Sequence, residues 1–229
     1  MKILIKFASR SRPWKFFNCI KNIFDHQTEN SITILASLDD DDETMNTPKI
    51  RDWFARYNKK GIVSVYGKSK NKIDAINRDM HMVSDWDILI NFSDDMLFIK
   101  KGFDRDIMDA FENNFPDLDG VLHYHDGHNY KDELMTMSIM GRKYYDRFGF
   151  IYHPDYISLW SDNEARDVAK ALGKYKYMGD DLIIFNHNHP MHQGMGMTNY
   201  DAQLKHTESF FFTDKETYLR RKEKNFDLP

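Results

Sequence analysis

The sequence has a single cysteine, Cys19, and no long apolar run, and it lacks any excess of basic charge. Each scarcity removes a class of protein. One cysteine rules out an internal disulfide framework and fits a reducing compartment, so the cytoplasm is the expected address. A membrane-crossing helix needs roughly 18–20 consecutive apolar residues, and no stretch approaches that. Lys and Arg number 32 against 36 Asp and Glu, a net charge of −4. Chains that live on nucleic-acid backbone show the opposite balance, so a nucleic-acid acceptor is not expected. Met1-Lys2-Ile3-Leu4-Ile5-Lys6-Phe7 returns to charge too soon for a secretory leader and reads as a strand. No internal repeat or low-complexity linker breaks the chain, which implies one compact unit over residues 1–229.

What is present is an alternation. Apolar, β-prone segments at 3–7, 31–38, 62–66 and 87–92 are separated by segments with helical spacing at 14–24, 48–57 and 72–83. Parallel strands require crossovers, so strand–helix alternation with short connections predicts an α/β domain with a mainly parallel, Rossmann-like sheet flanked by helices. The second half is less regular. Helices are expected at 104–114, 142–148 and 163–172, the last capped by Ser161 or Asp162 and stopped by Gly173. Strands are expected at 120–123, 135–140 and 182–185, and a charged, exposed helix at 215–224. Trp14, Phe16, Phe17 and Phe24 form an apolar helical stripe expected in the core.

In open sheets of this kind ligands sit beyond the carboxyl ends of the strands. Three of the first four strands deliver polar clusters there: Arg10 and Arg12, Asp39 and Asp40, Asp94 and Asp95. Asp39 to Glu43 is an unbroken run of five carboxylates. Gathered carboxylates suit a hard divalent cation, which takes oxygen ligands and grips the oxygens of a nucleotide diphosphate. Successive strand residues point to opposite faces, so Asp94 and Asp95 need a turn to address one site. Ten histidines are present, and His187, His189 and His192 fall within six residues. That triplet has no fourth zinc ligand beside it. The loop histidines His123, His125 and His128 carry no assignment.

The pattern resembles glycosyltransferase family 2. Strand Ile32–Leu38 running into Asp39-Asp40-Asp41-Asp42-Glu43-Thr44 is similar to that family's apolar strand with an Asp-Asp-Gly-Ser-Thr-Asp stretch, Asp41 and Asp42 replacing its Gly and Ser. Gly67 to Asn77 is similar to its Asn-x-Gly…Ala-x-Asn loop and helix. Asp87 to Met96 looks like the strand bearing its Asp-x-Asp motif, here as Asp94-Asp95. The match covers about residues 1–110 well and 135–190 loosely.

The resemblance implies an A-type nucleotide-sugar glycosyltransferase fold, with a nucleotide-binding half at 1–110, an acceptor half at 111–200 and a tail at 201–229. It further implies that Asp39 accepts a hydrogen bond from a uracil-type base, that Ala8 and the loop through Arg10 to Arg12 flank base or ribose, and that Lys72 approaches base or diphosphate. Asp94 would hold ribose or sugar. Asp95 would bind Mn2+ or Mg2+, with His187, and His189 beside it, completing the metal shell. Asp162 would be the catalytic base and Glu164 the second choice. The expected reaction moves a sugar from a nucleotide diphosphate sugar, UDP-linked, to a hydroxyl of a glycan, lipid-linked or other acceptor, with inversion. Such an enzyme could sit at a membrane surface, through the basic residues of 215–224. The alternatives are a nucleotidyltransferase of related fold, disfavoured because Ala8 to Pro13 lacks the Gly-rich phosphate loop, and a non-catalytic nucleotide-sugar-binding module.

Overall fold

The computed structural model describes all residues except 30, 59–60, 129–130, 190–199 and 229. Pro190, His192 and the Met195–Met197 segment lie outside the described residues. The first part of the chain is built from β1 (Ile3–Ser9), α1 (Pro13–His26), β2 (Ile32–Asp39), α2 (Pro48–Tyr57), β3 (Ile62–Gly67), α3 (Lys72–Asn77) and β4 (Ile88–Phe92). The chain then continues through β5 (Met96–Phe98), α4 (Phe103–Asn114), β6 (Val121–His123), β7 (Ile139–Gly141) and α5 (Arg142–Phe148). The last elements are α6 (Ser161–Ala171), β8 (Tyr175–Tyr177), β9 (Phe185–His187), α7 (Ala202–Glu208) and α8 (Phe211–Glu223).

Seven strands form one sheet in the order β3-β2-β1-β4-β7-β6-β8. Six run the same way; β7 alone is antiparallel to its neighbours β4 and β6. The mainly parallel α/β architecture expected from the alternation is the one observed. Side-chain alternation along β1 splits the interior into two cores. Ile3, Ile5 and Phe7 meet α1 through Phe16, Cys19, Ile20 and Ile23 on one face. On the other face Leu4 joins Ile73 and Ile76 of α3 and Leu89 of β4. β4 is buried along its whole length, as a central parallel strand covered on both faces must be.

The parallel register brings strand ends level. Ser9 pairs with Leu38, one residue before Asp39, and Phe7 pairs with Phe92, two residues before Asp94. The sheet therefore delivers its polar tips to one edge.

Several boundaries differ from the sequence reading. α3 ends at Asn77 instead of continuing to Val83, because Asp79 takes a left-handed conformation at φ 69° and a short 3-10 turn follows. β7 occupies only the end of its expected segment. β9 lies later than 182–185, and β5, β8 and α7 were not anticipated. α6 starts at Ser161, with Trp160 at the cap position in a left-handed conformation, so neither Ser161 nor Asp162 is the cap residue. Trp14 is 81% exposed and does not belong to the core.

The charged terminal helix is not a solvated tail. Asp214, fully buried in α8, accepts backbone N–H bonds from Ile157, Ser158 and Leu159 at 2.7–2.9 Å. Arg221 clasps Glu164 of α6 through contacts of 2.8, 2.9 and 3.1 Å, and Tyr156 Oη donates to the same carboxylate at 2.7 Å. Both side chains of the ion pair are 6% exposed. Arg221→Ala would strand the Glu164 charge, so urea unfolding should show a loss of about 3–5 kcal/mol. A loss under about 1 kcal/mol, the scale of a surface pair, would show that α8 does not depend on this contact.

Candidate functional site

A cleft of about 540 Å³ opens at the carboxyl edge of the sheet. Of the residues expected there, Ala8, Arg10, Arg12 and Asp39 line the cleft beside the ends of β1 and β2. Lys72, Asp94, Asp95, Asp162, His187 and His189 line the rest. Glu164 is the exception and a correction: it does not line the cleft, because Arg221 and Tyr156 hold it in the packing between α6 and α8.

Asp39 ends β2. Its Oδ2 accepts from Arg10 Nη1 at 2.9 Å. Its Oδ1 is buried without a hydrogen-bond partner, the nearest cation being Arg78 at 3.8 Å. A buried acceptor left open at a cleft wall is an unusual expense for a fold and marks a place where a ligand N–H fits.

The Ser93-Asp94-Asp95 stretch is a turn, with Met96 N–H bonded to the Ser93 carbonyl at 3.2 Å. That turn lets both carboxylates meet the cleft. They then part in role. Asp94 Oδ2 accepts from Ser9 Oγ at 2.8 Å and Oδ1 from Arg12 Nη1 at 3.0 Å. Burial pushes the Asp94 carboxyl up, opposed by the Arg12 charge. Asp95 lies beside His187 because β5 and β9 pair with Met96 opposite His187. His187 Nε2 is 3.5 Å from Asp95 Oδ1, and Asn188 N–H bonds the Asp95 carbonyl at 2.7 Å. Burial works against the Asp95 charge, but His187, the Ser93 hydroxyl and Lys72 together hold its carboxyl well below the usual carboxylate range.

Beyond His187, Asp126 Oδ2 is 4.0 Å from Nδ1, and His128 Nε2 reaches the His187 carbonyl at 2.6 Å. The loop after β6 thus buttresses β9; His123, at the end of β6, and His125 in the loop are both buried. His189 turns to α7, where its Nε2 is 3.9 Å from Glu208; burial draws its imidazole down to about 4.

Asp162 is the second residue of α6, and the hydrogen bonds it accepts from the described residues are local backbone ones, among them the Asn163 N–H at 3.0 Å. Burial pushes its carboxyl up, and Lys72 opposes that. Lys72, at the start of α3, therefore stands in the field of both Asp95 and Asp162. Tyr156 is fully buried, and Trp160 packs edge-on against Phe211 and tilted against Tyr218; neither aromatic before Asp162 lines the cleft.

A divalent cation can be tested against this donor set. Among the described residues no group of three His, Cys, Asp or Glu side chains is arranged to hold a metal. Asp95 Oδ1 and His187 Nε2 converge, however, and Asp95 Oδ2 accepts no hydrogen bond from the described residues. One carboxylate with one imidazole suits an ion such as Mg2+ or Mn2+ that fills its other positions with phosphate oxygens and water. Asp126 stands behind the imidazole with Oδ2 4.0 Å from Nδ1, an ion-pair separation beyond hydrogen-bond distance.

Sequence reasoning missed the support under the floor. Lys6 follows Leu4 on the α3 face of β1 and is fully buried. Its ammonium donates to Ser37 Oγ and, at 3.2 Å, to the Ala75 carbonyl. Ser37 donates onward to Asp79 at 2.7 Å, which Arg78 also binds at 2.7 Å. Arg78 meanwhile donates to the Leu38 carbonyl at 2.6 Å, next to Asp39. The signal was available: a lysine inside an apolar strand, on a buried face.

No protein-family model and no curated protein sequence matches the chain. Solved structures do match in fold. The mannosyltransferase PcManGT from Pyrobaculum calidifontis, in complex with GDP-Man and Mn2+, superposes with a TM-score of 0.62 at 10% identity, over 80% of this chain and 56% of that one. S. aureus TarS superposes at 0.64 and 11%, over 83% and 61%. Its complex with UDP-GlcNAc gives 0.63 and 11%, over 81% and 58%. The chain thus spans little more than half the length of these proteins, and it has the A-type glycosyltransferase fold that the sequence pattern implied.

Burial draws the Lys6 ammonium from 10.5 down to about 7, with Asp79 opposing. Between those values the unfolded chain holds one more proton than the folded chain. Stability of the wild type should therefore rise with pH in that window, by up to about 1.4 kcal/mol per unit from this group, and be flat in this respect below 7. Lys6→Met removes the effect. The unfolding free energy of K6M minus that of wild type should fall steadily from pH 7 to 10.5; a constant difference would mean that Lys6 titrates as an ordinary lysine.

Proposed function

We propose that this chain is a metal-dependent glycosyltransferase that moves a sugar from a nucleotide diphosphate sugar, UDP-linked, to an acceptor hydroxyl with inversion. The observation that carries this reading is the convergence in one cleft of an open buried acceptor on Asp39, the Asp95–His187 pair, Lys72 and the uncommitted carboxylate of Asp162. A nucleobase N–H fits Asp39 Oδ1. Ala8 and Arg10 flank the nucleoside, and Asp94, steadied by Ser9 and Arg12, faces the ribose.

Asp95 and His187 would hold Mn2+ or Mg2+, which supplies charge neutralisation to the departing diphosphate. Lys72 adds an ammonium beside the same charge. Asp162 acts as general base: it takes the proton of the acceptor hydroxyl as that oxygen forms its bond to the anomeric carbon. The bond from that carbon to the diphosphate breaks, and the diphosphate leaves with the electron pair. Attack opposite the leaving group inverts the anomeric centre. The burial that raises the Asp162 carboxyl strengthens it as a base, while Lys72 and its place in the first turn of α6 favour the ionised form.

Two variants separate binding from turnover. UDP-GlcNAc with Mn2+ should raise the melting temperature of the wild type, and Asp95→Ala should abolish the metal-dependent part of that shift. Asp162→Asn should keep the shift while donor turnover, read as UDP release, falls by about 10²–10⁴. Stabilisation by nucleoside triphosphates but by no sugar nucleotide would favour the nucleotidyltransferase reading instead. Full turnover in D162N would remove Asp162 from the mechanism.

A further inference from the structure

The cleft contains a second uncommitted carboxylate, supplied by a part of the chain that the sequence presented as a tail. Glu208 is the last residue of α7 and lines the cleft. Its side chain is 21% exposed, and its closest charged neighbour is His189 Nε2 at 3.9 Å. No hydrogen bond reaches its oxygens from the described residues, and no Lys or Arg lies within ion-pair distance of it.

The fold gains nothing evident from this placement. A carboxylate at a helix C-terminus faces the negative end of the backbone dipoles, and partial burial without a partner removes water that nothing replaces. The position is nevertheless firmly built. Asp201 caps α7 by accepting the Leu204 N–H at 2.8 Å, and Arg12 grips the same carboxylate at 2.6 and 3.0 Å. Leu204 and Thr207 are buried beneath the helix. An unfavourable charge held on a rigid wall of a ligand cleft is the pattern of a binding group.

What it faces can be narrowed. Lys72 is the cation whose field reaches Glu208, and the same ammonium acts on Asp95 and Asp162. Glu208 lines the same cleft beside His189, two residues after the His187 that meets Asp95, so on the transferase reading it stands near the diphosphate and the sugar attached to it. Ionised carboxylates accept paired hydrogen bonds from neighbouring hydroxyls, and such charge-assisted bonds in a half-buried site discriminate strongly. A phosphate would be repelled.

We infer that Glu208 binds ring hydroxyls of the donor sugar and is a specificity-determining residue of the transfer reaction. This rests on the transferase reading, and the test separates the two. Binding of UDP, UDP-GlcNAc, GDP and GDP-mannose is measured calorimetrically in the presence of Mn2+ for wild type, Glu208→Gln and Glu208→Ala. Because no hydrogen bond from the described residues reaches Glu208, E208Q should melt as wild type does. Both variants should bind the bare nucleotide as wild type does and bind the preferred sugar nucleotide at least about tenfold more weakly, the scale of a lost hydrogen bond to a charged group. Unchanged sugar-nucleotide binding in E208Q and E208A overturns the inference and leaves the transferase reading standing. Equal weakening of bare nucleotide and sugar nucleotide also overturns it, since Glu208 would then act on the nucleotide. A wild type that binds none of the four sinks the transferase reading, and this inference with it.

Discussion

Carboxylates crowded at one edge of a sheet repel each other, and the cleft depends on the cations threaded between them. Asp39 is met by Arg10, Asp94 by Arg12, Asp95 by His187, and Lys72 spreads its field over Asp95, Asp162 and Glu208. Each pairing joins residues remote in sequence, so each also ties one element to another. In a partly buried site such pairs are far stronger than on a surface, but the desolvation they carry is correspondingly large. Among the described residues the balance leaves acceptor capacity open at Asp39 Oδ1, whose nearest cation is Arg78 at 3.8 Å, at Asp95 Oδ2, at the Asp162 carboxylate beyond its local backbone contact, and at Glu208.

The C-terminal segment has a structural share in this site. Asp201 is bound by the same Arg12 that steadies Asp94, so α7 is tied to the loop after β1. Asp214 gathers three backbone N–H groups of the 157–159 segment, immediately before the α6 start that carries Asp162. The Glu164–Arg221 pair then locks α6 to α8. Asp162 and the α7 wall are thereby placed by residues that a reading of local sequence treats as solvated charge.

That contrast marks what local pattern can and cannot carry. β1, β2 and β4 were legible because strands buried on both faces leave near-continuous apolar runs, and the polar tips stood out because they interrupt those runs at the same end. Asp94 and Asp95 were found as a pair, although only the turn after Ser93 explains how neighbours reach one cleft. His187 was placed beside the acidic pair through the family resemblance; the physical cause is the register of β5 with β9, two three-residue strands too short to leave a signal. Glu164 was misplaced because its partner Arg221 lies 57 residues away. Nothing local distinguished it from Asp162, two positions earlier. Lys72 to Val83 looked like one helix because apolar spacing continues past Asn77; the Ser37–Asp79 bond that accompanies the break is a tertiary contact.

The fold is held in common with proteins that share about a tenth of its sequence, and the chemistry proposed for it lives in a few side chains. Its centre is the claim that Asp95 and His187 act together on a cation that a nucleotide diphosphate completes. Crystals grown with UDP and Mn2+, with manganese located by its anomalous scattering, test that most directly. The account requires a metal peak between the Asp95 carboxylate and the His187 imidazole, with the uracil edge against Asp39. Manganese bound elsewhere, or a nucleoside outside this cleft, would contradict it.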